Sequence, residues 1–167
     1  MEERPTIPAE EYSQRWRQVQ AFMHREELDL LVAYADDRAV FGPAHARWLA
    51  NFPVHFEPVC ILMFPQGSPV MICGPETREY ALLAGRISDV RVSREFTHPD
   101  EDYPYTTIHD LSQIVGETVR DLAAVRKIGL GGQKLMSGEL VISLIAAFPG
   151  AFPAGGLWDA AAGPDRK

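Results

Sequence analysis

The stretch VCILMFPQGSPVMIC, residues 59–73, decides the fold. It holds two apolar runs, Val59 to Phe64 and Val70 to Cys73, split by Pro65-Gln66-Gly67-Ser68-Pro69. A five-residue loop is far too short for a helical crossover, so the two strands must turn back on each other as an antiparallel hairpin. Both runs are apolar almost without interruption, the pattern of strands covered on both faces. If the loop closes symmetrically, Phe64 faces Val70 and Ile61 faces Cys73. Alternation then puts Cys60 and Cys73 on opposite faces of the sheet. These are the chain's two cysteines, and they read as free, buried thiols.

Working outward toward the N-terminus, Leu28 and Leu30 to Tyr34 form another buried strand. Ahead of it, Pro8, Glu10 and Glu11 mark a helix start, and Tyr12, Trp16, Val19, Phe22 and Met23 make one apolar stripe at helical spacing. Between this strand and the hairpin, residues 36–51 contain Gly42-Pro43, which breaks any helix, and then a short apolar turn with Trp48 and Leu49. Toward the C-terminus, Pro75-Glu76 opens a helix through Leu83, closed by Gly85, and Ile87 to Val92 is a strand. Residues 94–105, REFTHPDEDYPY, form an irregular loop. Thr106 or Thr107 caps a helix carrying Ile108, Leu111, Val115, Val119 and Leu122. Lys127 to Leu130 is a strand. Ser137 caps a last helix with Leu140, Val141, Leu144 and Ile145 on its apolar side, and Phe152 to Ala162 adds an edge strand.

Strands separated by helices pair in parallel, whereas the hairpin cannot. The expected fold is α/β: a mixed sheet, mostly parallel with one antiparallel hairpin, of about five to six strands flanked by helices. No linker divides residues 1–160, which read as one domain, and residues 161–167 read as a tail.

Composition excludes several classes of function. The chain of 167 residues carries a net charge of −7 from 16 basic and 23 acidic residues, so a phosphate backbone is repelled and nucleic acid is not an expected partner. No run approaches the ~18 apolar residues of a membrane span, and the polar, acidic N-terminus is not a secretory signal. A cytoplasmic protein without a membrane partner is expected. The five histidines, His24, His45, His55, His98 and His109, show no zinc-site spacing with one another or with cysteine. The adjacent acids Asp100, Glu101 and Asp102 read as solvated rather than cation-binding.

Gly129-Leu130-Gly131-Gly132 follows a strand and precedes a helix, as a dinucleotide loop does. The spacing is not GxGxxG, and Phe148-Pro149-Gly150 stands where a ribose-binding acid belongs. It reads as a β-to-α turn, with a small nucleotide-binding enzyme as the lesser alternative. There is no G-x-S-x-G nucleophile elbow, and both cysteines sit inside strands. No catalytic set assembles from the residues themselves.

Four segments, in order, resemble the N-terminal domain of the creatinase/prolidase/aminopeptidase P family of metallopeptidases. Arg15-Trp16-Arg17 running into Glu27-Leu28-Asp29-Leu30-Leu31-Val32 is similar to the family's "R…M…GLDALLV". His45-Ala46-Arg47-Trp48-Leu49-Ala50-Asn51-Phe52 resembles "NIRYLTGF". The hairpin resembles "ALLV…G.PVLL", and Lys127-Ile128-Gly129-Leu130 resembles "KIGVE". The sequence departs at Ala50-Asn51, where Thr-Gly is usual, at Gly131, where an acid is common, and at Gly42-Pro43, which lengthens a loop.

The resemblance implies a non-catalytic domain. Family enzymes hold two divalent metal ions with two Asp, one His and two Glu in a C-terminal pita-bread domain, which would begin near the tail. No metal ligand or cofactor residue therefore carries over to this chain, and its expected partners are that catalytic domain and a second subunit. The family's N-terminal domain helps assemble oligomers and lends residues to a neighbouring subunit's substrate pocket. Placed on this sequence, that role falls to Pro53-Val54-His55-Phe56-Glu57-Pro58: His55, Phe56 and Glu57 are the expected substrate contacts, with Arg47 a further one. The plainer expectation is a proline-stiffened surface loop with Phe56 tucked into the core. A stand-alone binding or oligomerisation module is the reading from another class.

Overall fold

Strand β1 (Leu30–Ala35) is the axis of the molecule, and all six of its residues are buried. In the computed structural model, which describes residues 7–149 and 152–155, it pairs antiparallel with β2 (Val59–Met63) on one side. On the other side it pairs parallel with β5 (Lys127–Gly131). Beyond β2 lie β3 (Val70–Cys73) and β4 (Asp89–Val92), and beyond β5 lies β6 (Phe152–Gly155), giving the order β4-β3-β2-β1-β5-β6. The mixed six-stranded sheet agrees with the sequence reading, with one correction. Two pairings are antiparallel, β1–β2 as well as β2–β3, because β2 alone runs against the other strands. The expected continuation of the edge strand to Ala162 lies outside the described residues.

Strand alternation sorts the side chains into two cores. Leu31, Ala33, Ala35, Val59, Ile61, Met63, Met71 and Cys73 face helices α1 (Ala9–Arg25), α2 (Ala44–Ala50) and α3 (Arg78–Ala84). Leu30, Val32, Tyr34, Cys60, Leu62, Val70 and Ile72 face α4 (Leu111–Thr118) and α5 (Gly138–Ala147). The hairpin register differs from symmetric closure: Cys73 pairs with Val59 and Val70 with Leu62. That is a slip of two residues, and a slip of two preserves parity. Cys60 and Cys73 therefore lie on opposite faces, as expected, both free and buried. Burial holds the Cys73 thiol up at about 12, with the nearby Glu57 charge adding to it, so neither cysteine is a ready nucleophile.

Three helix readings need correction. The segment after Gly42-Pro43 is a true helix, α2, capped at Asn51 in the left-handed region. Helix α4 starts at Leu111 rather than Thr106. The His109 backbone is already committed, donating to Val92 O (3.2 Å) and accepting from Arg94 N (2.9 Å), so helical turns cannot begin before Asp110. It ends at Thr118 because the Asp121 carboxylate captures the amides of Ala123 and Ala124 and starts a separate 3-10 turn. In α5, Ser137 caps the helix as read, but Leu140, Leu144 and Ala147 form the buried face, and Ile145 points to solvent.

A seven-residue helix such as α2 does not hold by itself in water. Its end carbonyls are completed from elsewhere: Arg15 Nη1 donates to Trp48 O (2.9 Å), Trp16 Nε1 to Leu49 O (2.8 Å), and the Arg86 amide to Ala50 O (2.8 Å). The first two segments of the family resemblance thus meet in space, one supplying donors to the other. Trp16→Phe keeps an aromatic ring, smaller than the indole, but leaves the carbonyl of buried Leu49 without this donor. It should lower unfolding stability by about 1–3 kcal/mol, measured by urea denaturation with an unchanged m-value.

Candidate functional site

Because β2 is reversed, its entry lies at the same edge of the sheet as the exits of β1, β3, β4 and β5. The residues Asp36 and Asp37, Pro53 to Glu57, Gly74 to Thr77, Thr97 to Tyr105 and Gly131-Gly132 are all carried on loops at this carboxyl edge. Ligands of open α/β sheets commonly bind at this edge.

The segment leading into β2 does not present its side chains together. Phe52 is buried and stacks against Tyr80, with ring centroids 5.5 Å apart. His55 and Phe56 project into solvent as a pair, with centroids 4.3 Å apart. Phe56, expected in the plainer reading to tuck into the core, is 70% exposed, whereas Phe52 is buried. Asp37 holds the pair in place, its Oδ2 lying 3.4 Å from His55 Nδ1 and accepting the Phe56 amide at 3.3 Å. Phe56 sits at φ 65°, a left-handed conformation that a bulky side chain rarely adopts. The loop that supplies Asp37 also carries Val40 and Phe41, exposed 91% and 83%. The loop that holds His55 and Phe56 thus also exposes two apolar side chains of its own.

Glu57 points the other way. It is 1% exposed, and its carboxylate accepts the Thr77 amide at 2.8 Å and the Glu76 amide at 3.4 Å. Gly74 makes room for it, since a Cβ there would run into the carboxylate. Arg47 is exposed on α2, and among the described residues no hydrogen bond or ion pair joins it to His55, Phe56 or Glu57. The structure thus pairs His55 with Phe56, turns Glu57 inward, and carries Arg47 on the exposed surface of α2.

Two groups at this edge escaped the sequence reading. The first is Glu76 with His98, whose ligand atoms come within 4.8 Å of Glu57 and of each other. The Pro-flanked loop gave no spacing signal, because the three come from separate segments. The second is built on β1. Buried Asp36 accepts Arg38 Nε at 2.7 Å and the Tyr34 hydroxyl at 3.2 Å, and Arg38 reaches on to Leu135 O at 2.7 Å. Alongside, His45 Nδ1 donates to Tyr34 O at 2.6 Å. A Cβ on Gly132 would stand 2.6 Å from that same oxygen, and this residue sits at φ 75°. Gly131 gives the His45 ring its space in turn. These contacts account for the glycines that resemble a dinucleotide loop, and a 3-10 turn (Gln133–Leu135) follows them in place of an α-helix.

No family model matches the sequence, and no curated protein matches it. Solved structures do. The N-terminal domain of a cytoplasmic peptidase from Mycobacterium tuberculosis H37Rv aligns over 89% of this chain and 97% of its own, with TM-score 0.60 and 15% identity. The creatinase/prolidase N-terminal domain of an X-Pro dipeptidase from Streptococcus pyogenes aligns over 86% and 99%, with TM-score 0.57 and 15% identity. The chain has the creatinase/prolidase N-terminal domain fold. In the prolidase of Pyrococcus horikoshii the same alignment covers 89% of this chain and 33% of that one, with TM-score 0.60 and 10% identity. Among the described residues of this creatinase/prolidase-type domain, no helix is long and apolar enough to cross a membrane.

The buried imidazole of His45 has a measurable consequence. Burial lowers its pKa to about 4, against the opposing pull of the Tyr34 carbonyl, while the unfolded chain has the ordinary value near 6.5. The unfolded state therefore binds the extra proton first, and the stability this group contributes is present above pH 6.5 and lost as pH falls toward 4. Unfolding free energy should drop by about 2 kcal/mol between pH 7 and pH 5 from this group. His45→Gln, which keeps a donor and cannot titrate, should flatten that slope in urea titrations at the two pH values.

Proposed function

We propose that this chain serves as the non-catalytic N-terminal domain of a metal-dependent Xaa-Pro peptidase of the creatinase/prolidase type. One observation carries the reading: the chain aligns along nearly its whole length with nearly the whole of separate N-terminal domains, and with a third of a full prolidase. The sequence resemblance runs through the same segments, including the Arg15, Trp16 and Trp48-Leu49 positions that meet in the fold. In this role the pair of divalent metal ions belongs to a C-terminal catalytic domain, and the domain here supports oligomer assembly and borders the substrate pocket of a neighbouring subunit.

The exposed tip is the part suited to that border. His55 and Phe56 are exposed at the carboxyl edge, and the loop of Asp37 that holds them also exposes Val40 and Phe41. Phe56 is both exposed and held at positive φ, so neither burial nor local preference explains a bulky ring there; contact with another surface does. Glu57 acts behind it as a positioning residue, tying the segment to the turn before α3.

The isolated chain, supplied with Mn²⁺, Co²⁺ or Zn²⁺, should turn over neither an Xaa-Pro dipeptide nor creatine, since the hydroxide-forming metal pair is not housed in this domain. In the protein in which it is joined to a catalytic domain, Phe56→Ala should lower kcat/KM for an Xaa-Pro dipeptide about tenfold, or about 1.4 kcal/mol, at unchanged oligomer size. Wild-type kinetics in that variant would leave the tip with a purely structural role. Turnover by the isolated chain would overturn the assignment as a whole.

A further inference from the structure

Glu57, Glu76 and His98 come from three segments far apart in sequence: the entry to β2, the turn after β3, and the loop after β4. One ligand atom of each lies within 4.8 Å of the other two. Donors sharing one tetrahedral zinc ion stand about 3.4 Å apart, so small side-chain adjustments close the remaining gap. Each of the three also has a proline neighbour, Pro58, Pro75 and Pro99, which restricts the backbone that carries it.

The charge balance points the same way. Glu57 is fully buried, yet its partners are two backbone amides, and a carboxylate has about four acceptor positions. Among the described residues no lysine or arginine forms an ion pair with Glu57, Glu76 or Glu101. Glu101 reaches Glu76, and the Glu76 carboxyl is raised by desolvation and then by the Glu101 and Glu57 charges, with His98 opposing. Tyr103 locks the arrangement, accepting the His98 amide at 3.3 Å and donating to Glu101 at 3.2 Å. Buried Glu57 and the exposed Glu76 and Glu101 thus gather beside one imidazole without an ion pair to a basic side chain among the described residues, and a bound cation would offset the repulsion among them.

We infer that Glu57, Glu76 and His98 form a binding site for a divalent transition-metal cation at the carboxyl edge of β3 and β4. Two carboxylate oxygens and an imidazole nitrogen suit zinc or manganese rather than calcium, which takes oxygen ligands. The bound ion would clamp the 97–105 loop to the turn before α3. This inference rests on the residues alone and is independent of the peptidase assignment.

The test uses the full chain stripped with a chelator and titrated calorimetrically with Zn²⁺ at a pH of about 7.5, where a free imidazole is neutral. One ion should bind per chain, the melting temperature should rise with Zn²⁺ concentration, and the His98 ring signals should shift in NMR spectra. His98→Ala and Glu76→Gln, both outside the cores, should each weaken binding at least about tenfold. His24→Ala, on exposed α1 surface, should leave it unchanged. No saturable binding up to about millimolar Zn²⁺, unshifted His98 signals, or wild-type affinity in His98→Ala would overturn the site.

Discussion

One reversed strand organises this domain. β2 is tied to β3 by a loop too short to cross the sheet, so it runs against β3; it pairs antiparallel with β1 as well, and its first residues arrive at the edge where the other five strands end. Two of the side-chain arrangements at this edge follow from that geometry. Asp37 can hold His55 and Phe56 only because the exit of β1 and the entry to β2 share an edge. Glu57 can take the amides of the β3-to-α3 turn for the same reason.

A sheet covered on both faces needs helices that dock closely, and the two faces solve this differently. On the α4/α5 side, Ile128 and Leu130 of β5 fill the space with branched side chains. On the α1/α2 side, the same strand presents Gly129 and Gly131, and the His45 ring packs into the gap at the start of α2. The other end of α2 is finished by Arg15, Trp16 and the Arg86 amide. The short helix is therefore pinned at both ends by tertiary partners, which keeps the β1-to-α2 loop and its exposed Val40 and Phe41 in a defined place.

The loop edge has an uneven electrostatic character. The Asp36 carboxylate is neutralised by Arg38 and accepts a hydrogen bond from the Tyr34 hydroxyl, a closed network that serves the fold. Around Glu57 and Glu76 the acids form no ion pair with lysine or arginine among the described residues, and the His98 imidazole lies beside them. The first arrangement holds two loops together; the second brings ligand atoms from three segments close to one another.

Much of the architecture was legible in the sequence because it depends on period and parity. Strand runs, the hairpin, the α1 stripe and the opposite faces of Cys60 and Cys73 all follow from alternation, which even a two-residue slip in register does not disturb. Helix boundaries near 106–111 and 118–124 were not legible, because a backbone bridge at His109 and the Asp121 carboxylate compete with helix formation, and neither shows in apolar spacing. The loop 53–58 could be marked as unusual, but adjacent residues in an irregular segment have no fixed period. Only the folded chain decides that Phe56 turns outward while Glu57 turns in, and only the folded chain brings Glu76 and His98 to it. Local order is a property of neighbours along the chain; a site is made by neighbours across it.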